Sequence, residues 1–153
     1  MEKTVFRREN RGDDAVAATG VLTRHANHDH VQLDGVVAPG DTPKAQADRA
    51  LSFADRFLRE YCDGRLADVT MIRHFVREDL LPEAEFEIGE ACRDHFEPPE
   101  LPGTVMVGVS DVVGGDHAVK IEMEARIPHE REETEVVELP PPPGYTTSAD
   151  RTE

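Results

Sequence analysis

Two glutamates one residue apart, Glu122 and Glu124, sit in the run AVKIEMEARI (118–127). Side chains alternate across a strand. This run therefore places Lys120, Glu122, Glu124 and Arg126 on one face and Val119, Ile121, Met123, Ala125 and Ile127 on the other. A carboxylate on such a face can orient a water or accept a proton. A second cluster is HANHDH (25–30), three imidazoles and a carboxylate in a turn. Those donors suit zinc or nickel. Strand geometry, however, would aim His28 and His30 together and leave His25 unplaced, so a solvated turn is expected and no metal site is assigned. Cys62 and Cys92 have no CxxC spacing, and both fall in predicted helices as buried free thiols.

The elements that must position these groups are legible from periodicity. Short strands are expected at KTVFRRE (3–9), VAATGVLTR (16–24) and HVQLDGVVA (30–38), with a turn at NRGDDA (10–15). Thr42 as N-cap and Pro43 at the first position open a helix. Its apolar stripe is Ala47, Ala50, Leu51, Ala54, Phe57, Leu58 and Tyr61, and Gly64 stops it. LADVTMIRHFVRE (66–78) is β-branched and aromatic, hence a strand. Leu81-Pro82 opens a second helix with the stripe Ala84, Ile88, Ala91, Cys92, His95 and Phe96, ended by Pro98-Pro99. Strands at 103–112 and 117–127 flank Gly114-Gly115-Asp116 and read as a hairpin. The order predicts an α+β domain over 1–128: one mixed β-sheet with two helices packed on one face. Residues 129–153, acidic and then Pro-rich, read as a disordered C-terminal tail with its four prolines extended.

Charge narrows the function classes. The chain carries 32 acids against 17 bases, a net charge of −15, and only Lys3, Lys44 and Lys120 among the bases are lysine. An acidic, lysine-poor surface on a folded domain predicts a protein kept soluble in concentrated salt, hence a halophilic source. Nucleic-acid binding wants a basic stripe with stacking aromatics. Here aromatics are 5%, tryptophan is absent, and Arg7-Arg8 with Arg11 is the only basic grouping. No nucleic-acid partner is expected. No run of 18 apolar residues and no signal peptide are seen, so a cytoplasmic protein without membrane contact is expected.

The ordered segments resemble the RidA/YjgF family of reactive intermediate deaminases, also labelled endoribonuclease L-PSP-like. The resemblance runs from about Lys3 to Ile127. KTVFRREN is similar to the family's first strand, and HDHVQLDGVV to its Gly-Asp-strand-Ser-Gly segment, with Asp29 and Gly35 matching. AQADRALSFADRFL resembles its Gln-rich helix, and DVTMIRHFVRED resembles the family strand DVVKVTVYLTD. HFEPPELPGTV falls where the family has phenylalanine, prolines and Pro-Ala-Arg-Thr, and KIEMEA matches the closing KIEIEA.

The resemblance implies a RidA-like (chorismate-mutase-like) homotrimer with small-molecule clefts between subunits. It implies hydrolysis of enamines and imines made by pyridoxal-phosphate enzymes, with no cofactor in the protein itself. Glu122 stands at the family's water-positioning glutamate. Gly103 stands where the family's arginine grips the substrate carboxylate, beside Thr104. Gly89 replaces a cleft asparagine, and Asp34 replaces a small polar residue before Gly35. Val21 falls near a family tyrosine. Glu124 shares the face of Glu122 and completes the expected cleft. Glycine offers no cation, so the resemblance predicts the family fold with a ligand other than a 2-imino acid. The alternative is an imine deaminase whose cation has moved, Arg73 and Arg126 being the candidates.

Overall fold

The computed structural model describes residues 2–8, 19–112 and 117–144. The expected turns at 10–15 and Gly114–Asp116, Arg11, residues 16–18 of the second strand and residues 145–153 of the tail lie outside them. Among the described residues six strands form one mixed sheet: β1 (Lys3–Phe6), β2 (Gly20–Arg24), β3 (His28–Val36), β4 (Val69–Arg77), β5 (Gly103–Val109) and β6 (Val119–Pro128). Their spatial order is β1-β2-β3-β6-β4-β5. The helices are α1 (Pro43–Tyr61) and α2 (Glu83–His95).

α1 begins where its local chemistry puts it, whereas α2 starts after Pro82 without a side-chain cap. Thr42 caps α1 by accepting the Ala45 N–H at 3.1 Å, and Pro43 begins it. The face Ala47, Ala50, Leu51, Ala54 and Leu58 is buried almost completely. It packs with Ile88 and Ala91 of α2 and with Ile72, Val76, Ile121 and Met123 of the sheet in one core. Burying a leucine or isoleucine side chain contributes about 1.5–3 kcal/mol, so this layer is the main stabiliser of the fold. Tyr61 departs from the expected stripe: it is 64% exposed and rests edge-on against Phe6. Of the two thiols, Cys62 is buried and Cys92 partly so. Buried Gln46 ties α1 to the head of β6, its Oε1 accepting the Ala118 N–H at 2.7 Å.

One expectation is overturned. Residues 103–112 and 117–127 do not form a hairpin, because β4 lies between β5 and β6. β4 pairs in parallel with β5 and antiparallel with β6. The cause is α2: a strand, a helix and a second strand close most simply as a parallel crossover pair, which commits β5 to β4. β6 then returns on the other side of β4, where it also pairs with β3. Crossing one strand spans about 10 Å, well within the reach of residues 110–118.

Beyond Pro128 the described residues form neither helix nor strand, but the first of them are held. His129 Nε2 lies 2.9 Å from Asp29 Oδ1. Arg131 donates two hydrogen bonds to buried Asp68, at 2.6 and 3.0 Å. Thr134 donates to Glu100 at 2.6 Å. Among the described residues, no helix is long and apolar enough to cross a membrane.

Candidate functional site

The helices cover one face of the sheet, and the polar side chains of β3, β4 and β6 gather on the other. In β6, Ile121, Met123 and Ala125 are buried, while Glu122 and Glu124 alternate with them and are partly accessible. Glu122 has two neighbours in register. On one side it stands opposite Arg73 of β4. On the other it faces an irregularity of β3, where pairing steps from Leu33–Met123 to Val36–Ile121 and leaves Asp34 and Gly35 across from it. Two residues against one is a β-bulge. Gly35 permits it with φ of +63°, a left-handed conformation that side-chain-bearing residues adopt at a cost.

The bulge and the facing strands enclose an open hollow of about 360 Å³, lined by Val21, Gln32, Asp34, Arg73, Glu122 and Glu124 among others. Glu124 is engaged: Arg73 Nη2 donates to it at 3.3 Å, and His30 Nε2 lies 3.8 Å from its other oxygen. Glu122 makes no hydrogen bond or ion pair among the described residues and so presents its carboxylate to the hollow. Among the described residues three carboxylates and one guanidinium, already paired, line the hollow, and Lys120 brings its amine to the bulge, with Nζ 3.8 Å from where a Gly35 Cβ would stand.

The expected cleft residues separate into groups. Asp34 and Gly35 form the bulge across from Glu122, and Asp34, Glu122 and Glu124 line the hollow together. Gly103 lies in the same cross-strand row as Glu124, with Met71 between them. It is therefore two strand spacings, about 10 Å, from Glu124. A Cβ at Gly103 would meet Met71 Cε at 3.4 Å and the Thr70 carbonyl at 3.5 Å, ordinary contacts, so the position accepts a side chain. Thr104 stands beside buried Ile72 and follows the opposite alternation. Gly89 lies on α2, in the helical layer, where a Cβ would meet Arg93 Nη1 at 3.5 Å, an ordinary contact. Gln32 had no assigned role in the sequence. Its alternation with Val31 and Leu33 marks a polar face, and only the β3–β6 register sets it against Glu124. Of the two candidate cations, Arg73 lines the hollow, whereas Arg126 pairs with His30 one row further on and faces a different hollow.

The histidine segment has its own order. His25 stacks on His28 with ring centroids 4.6 Å apart, and His28 Nδ1 lies 2.7 Å from Asn27 Oδ1. Desolvation, then Arg126 and the neighbouring imidazoles, hold His28 below its usual pKa. Among the described residues no three His, Cys, Asp or Glu converge as a metal-holding group.

The architecture has close counterparts among solved structures. A YjgF/YER057c/UK114 family member from Mycobacterium tuberculosis superimposes with a TM-score of 0.68 over 82% of this chain and 100% of its own, at 27% identity. The fold is that of the YjgF/RidA proteins. A YjgF family member from Neisseria meningitidis shares it with a TM-score of 0.67 at 19% identity, over 86% of this chain and 98% of its own. RidA from an Antarctic Psychrobacter shares it with a TM-score of 0.61 at 18% identity, over 74% and 89%. No family model matches the sequence. No curated protein matches it either. The structural neighbours support the YjgF/RidA family for this chain.

Proposed function

We propose that the chain is a RidA/YjgF family protein that assembles as a homotrimer in the cytoplasm and holds a small-molecule cleft between subunits around Glu122. It uses no cofactor, and its ligand is not a 2-imino acid. The observation that carries this reading is the charge of the face. Gly103 supplies no guanidinium, and Arg73, the one arginine lining the hollow among the described residues, is bonded to Glu124 while Asp34 and Glu122 add further negative charge; Lys120, whose Nζ lies 3.8 Å from where a Gly35 Cβ would stand, brings an amine to the bulge but no planar fork. A substrate carboxylate brought here meets repulsion without a fork to receive it. A neutral or cationic imine, or another small amine-bearing metabolite, fits this balance.

A second reading keeps imine deamination with Arg73 as the displaced cation. Its support is specific: Arg73 stands opposite Glu122 in the ladder. Glu122 would then orient the attacking water while Arg73, released from Glu124, received the substrate carboxylate. One experiment separates the two. A dehydratase generates a 2-imino acid and keto-acid release is followed with and without the protein. The first reading expects no acceleration. Acceleration that disappears in Glu122→Ala and in Arg73→Ala would replace it with the second.

A further inference from the structure

Two exposed features of this chain complement each other. The first is a groove of about 570 Å³ between β1, the end of β3 and α1, walled by Val5, Phe6, Phe53, Phe57 and Tyr61, with Arg8 among its lining residues. Phe6 packs edge-on against Phe57 at 4.9 Å, and Phe57 leans on Tyr61 at 5.7 Å. Such rings normally cover one another, yet Phe53 is 43% exposed, as well as Tyr61.

The second feature is the chain beyond Thr134. Its base is held to the body by Arg131 on Asp68 and Thr134 on Glu100. From there Val136, Val137 and Leu139 are all more than 60% exposed, and Pro140–Pro143 follow them, exposed as well. A proline run holds an extended left-handed helix without internal hydrogen bonds, so docking it costs little ordering. Its rings pack well on aromatic side chains set along a groove. Charge agrees on balance: Glu135 and Glu138 precede the Leu139–Pro143 strip, and Arg7 and Arg8 line the groove against one carboxylate, Asp34.

We propose that the Leu139–Pro143 strip of one copy lies across the Phe6–Phe57–Tyr61 groove of a second copy. Within its own chain the strip is exposed throughout, so the contact this chemistry supports is between chains. Asp34 lines both this groove and the hollow beside Glu122, so the two adjoin, but a crosslink from position 61 reads the groove alone.

The test uses two full-length versions made in the same cells. One carries the photo-crosslinker p-benzoylphenylalanine at position 61 and serines at 140–143. The other keeps Tyr61 and the native strip and bears an affinity tag. A crosslink from position 61 to the native strip can only join two chains. The expected result is a covalent two-chain product whose linked peptide contains residues 135–144. It should fall to background when the tagged chain also carries the serines. Absence of that product, linkage to another segment, or an unchanged yield with serines in both chains would overturn the proposal.

Discussion

Arg73 stands directly opposite Glu122 across the β4–β6 ladder, yet its guanidinium donates to Glu124, at 3.3 Å. The side chains of both partners are partly solvent-exposed, 38% and 28%, so the pair is worth no more than about 1 kcal/mol. A ligand carrying charge into the hollow competes with a weak bond, not with a buried one. Among the described residues Glu122 is left without a hydrogen bond or ion pair beside a bulge, and the face can change partners at low cost.

Restoring the missing fork is the sharpest test of the cleft. Gly103→Arg adds a side chain at a position whose Cβ contacts are ordinary, so the melting temperature should stay within about one degree. A charge-assisted hydrogen bond contributes about 1.5–3 kcal/mol, so a restored cleft should raise kcat/KM for a 2-imino acid by about tenfold or more. Coupled keto-acid release measures it. No gain would mean that the remaining cleft residues have also diverged.

The held base of the C-terminal segment should matter to stability. Asp68 has only 5% of its side chain exposed and receives both Arg131 nitrogens and the Arg65 N–H. Arg131→Ala leaves that carboxylate short of partners, at a cost of about 1–3 kcal/mol after allowing for the exposure of the arginine. Urea unfolding reads the loss. Limited proteolysis should cut faster between residues 130 and 138. Unchanged cleavage would show that the segment is held some other way.

Acid should weaken the fold through His74. It is 2% exposed beneath α2, with Cys92 Sγ 3.7 Å from its Nε2, and burial holds its pKa below the ordinary 6.5. The unfolded chain therefore binds a proton that the native chain refuses. Stability contributed by the neutral ring is full above about pH 6.5. It declines as pH falls from there toward the lowered native value, by at most about 1.4 kcal/mol per pH unit. Comparing urea midpoints of wild type and His74→Gln across pH 5 to 7 isolates the slope. Parallel curves would remove His74 from the account.

Salt should stabilise. With a net charge of −15, self-repulsion is strong at low ionic strength. At 1 M salt the screening length shrinks to about 3 Å. The expected outcome is a melting temperature that rises from dilute buffer to molar KCl. A flat profile would set aside the halophilic origin inferred from the lysine-poor surface.

The elements were readable because each rests on local physics. Thr42-Pro43 marks a helix start wherever it occurs, and the alternation in KIEMEA faces its glutamates away from the core in any sheet. The two helices on one face of a mixed sheet follow from that order of elements. The sequence determined this much, down to which face Glu122 and Glu124 would share. Strand neighbours were another matter. The Gly-Gly-Asp signal between residues 112 and 117 suggested a hairpin, and nothing local says that β4 must intervene. Parallel pairing is decided by where α2 packs, a contact between residues far apart in the chain. The same long-range register sets Arg73 opposite Glu122, puts the Asp34–Gly35 bulge on its other side and leaves Gly103 two strands away. Local propensity acts over a few residues. The site is a product of pairings between segments up to a hundred residues apart, and only the folded sheet decides those.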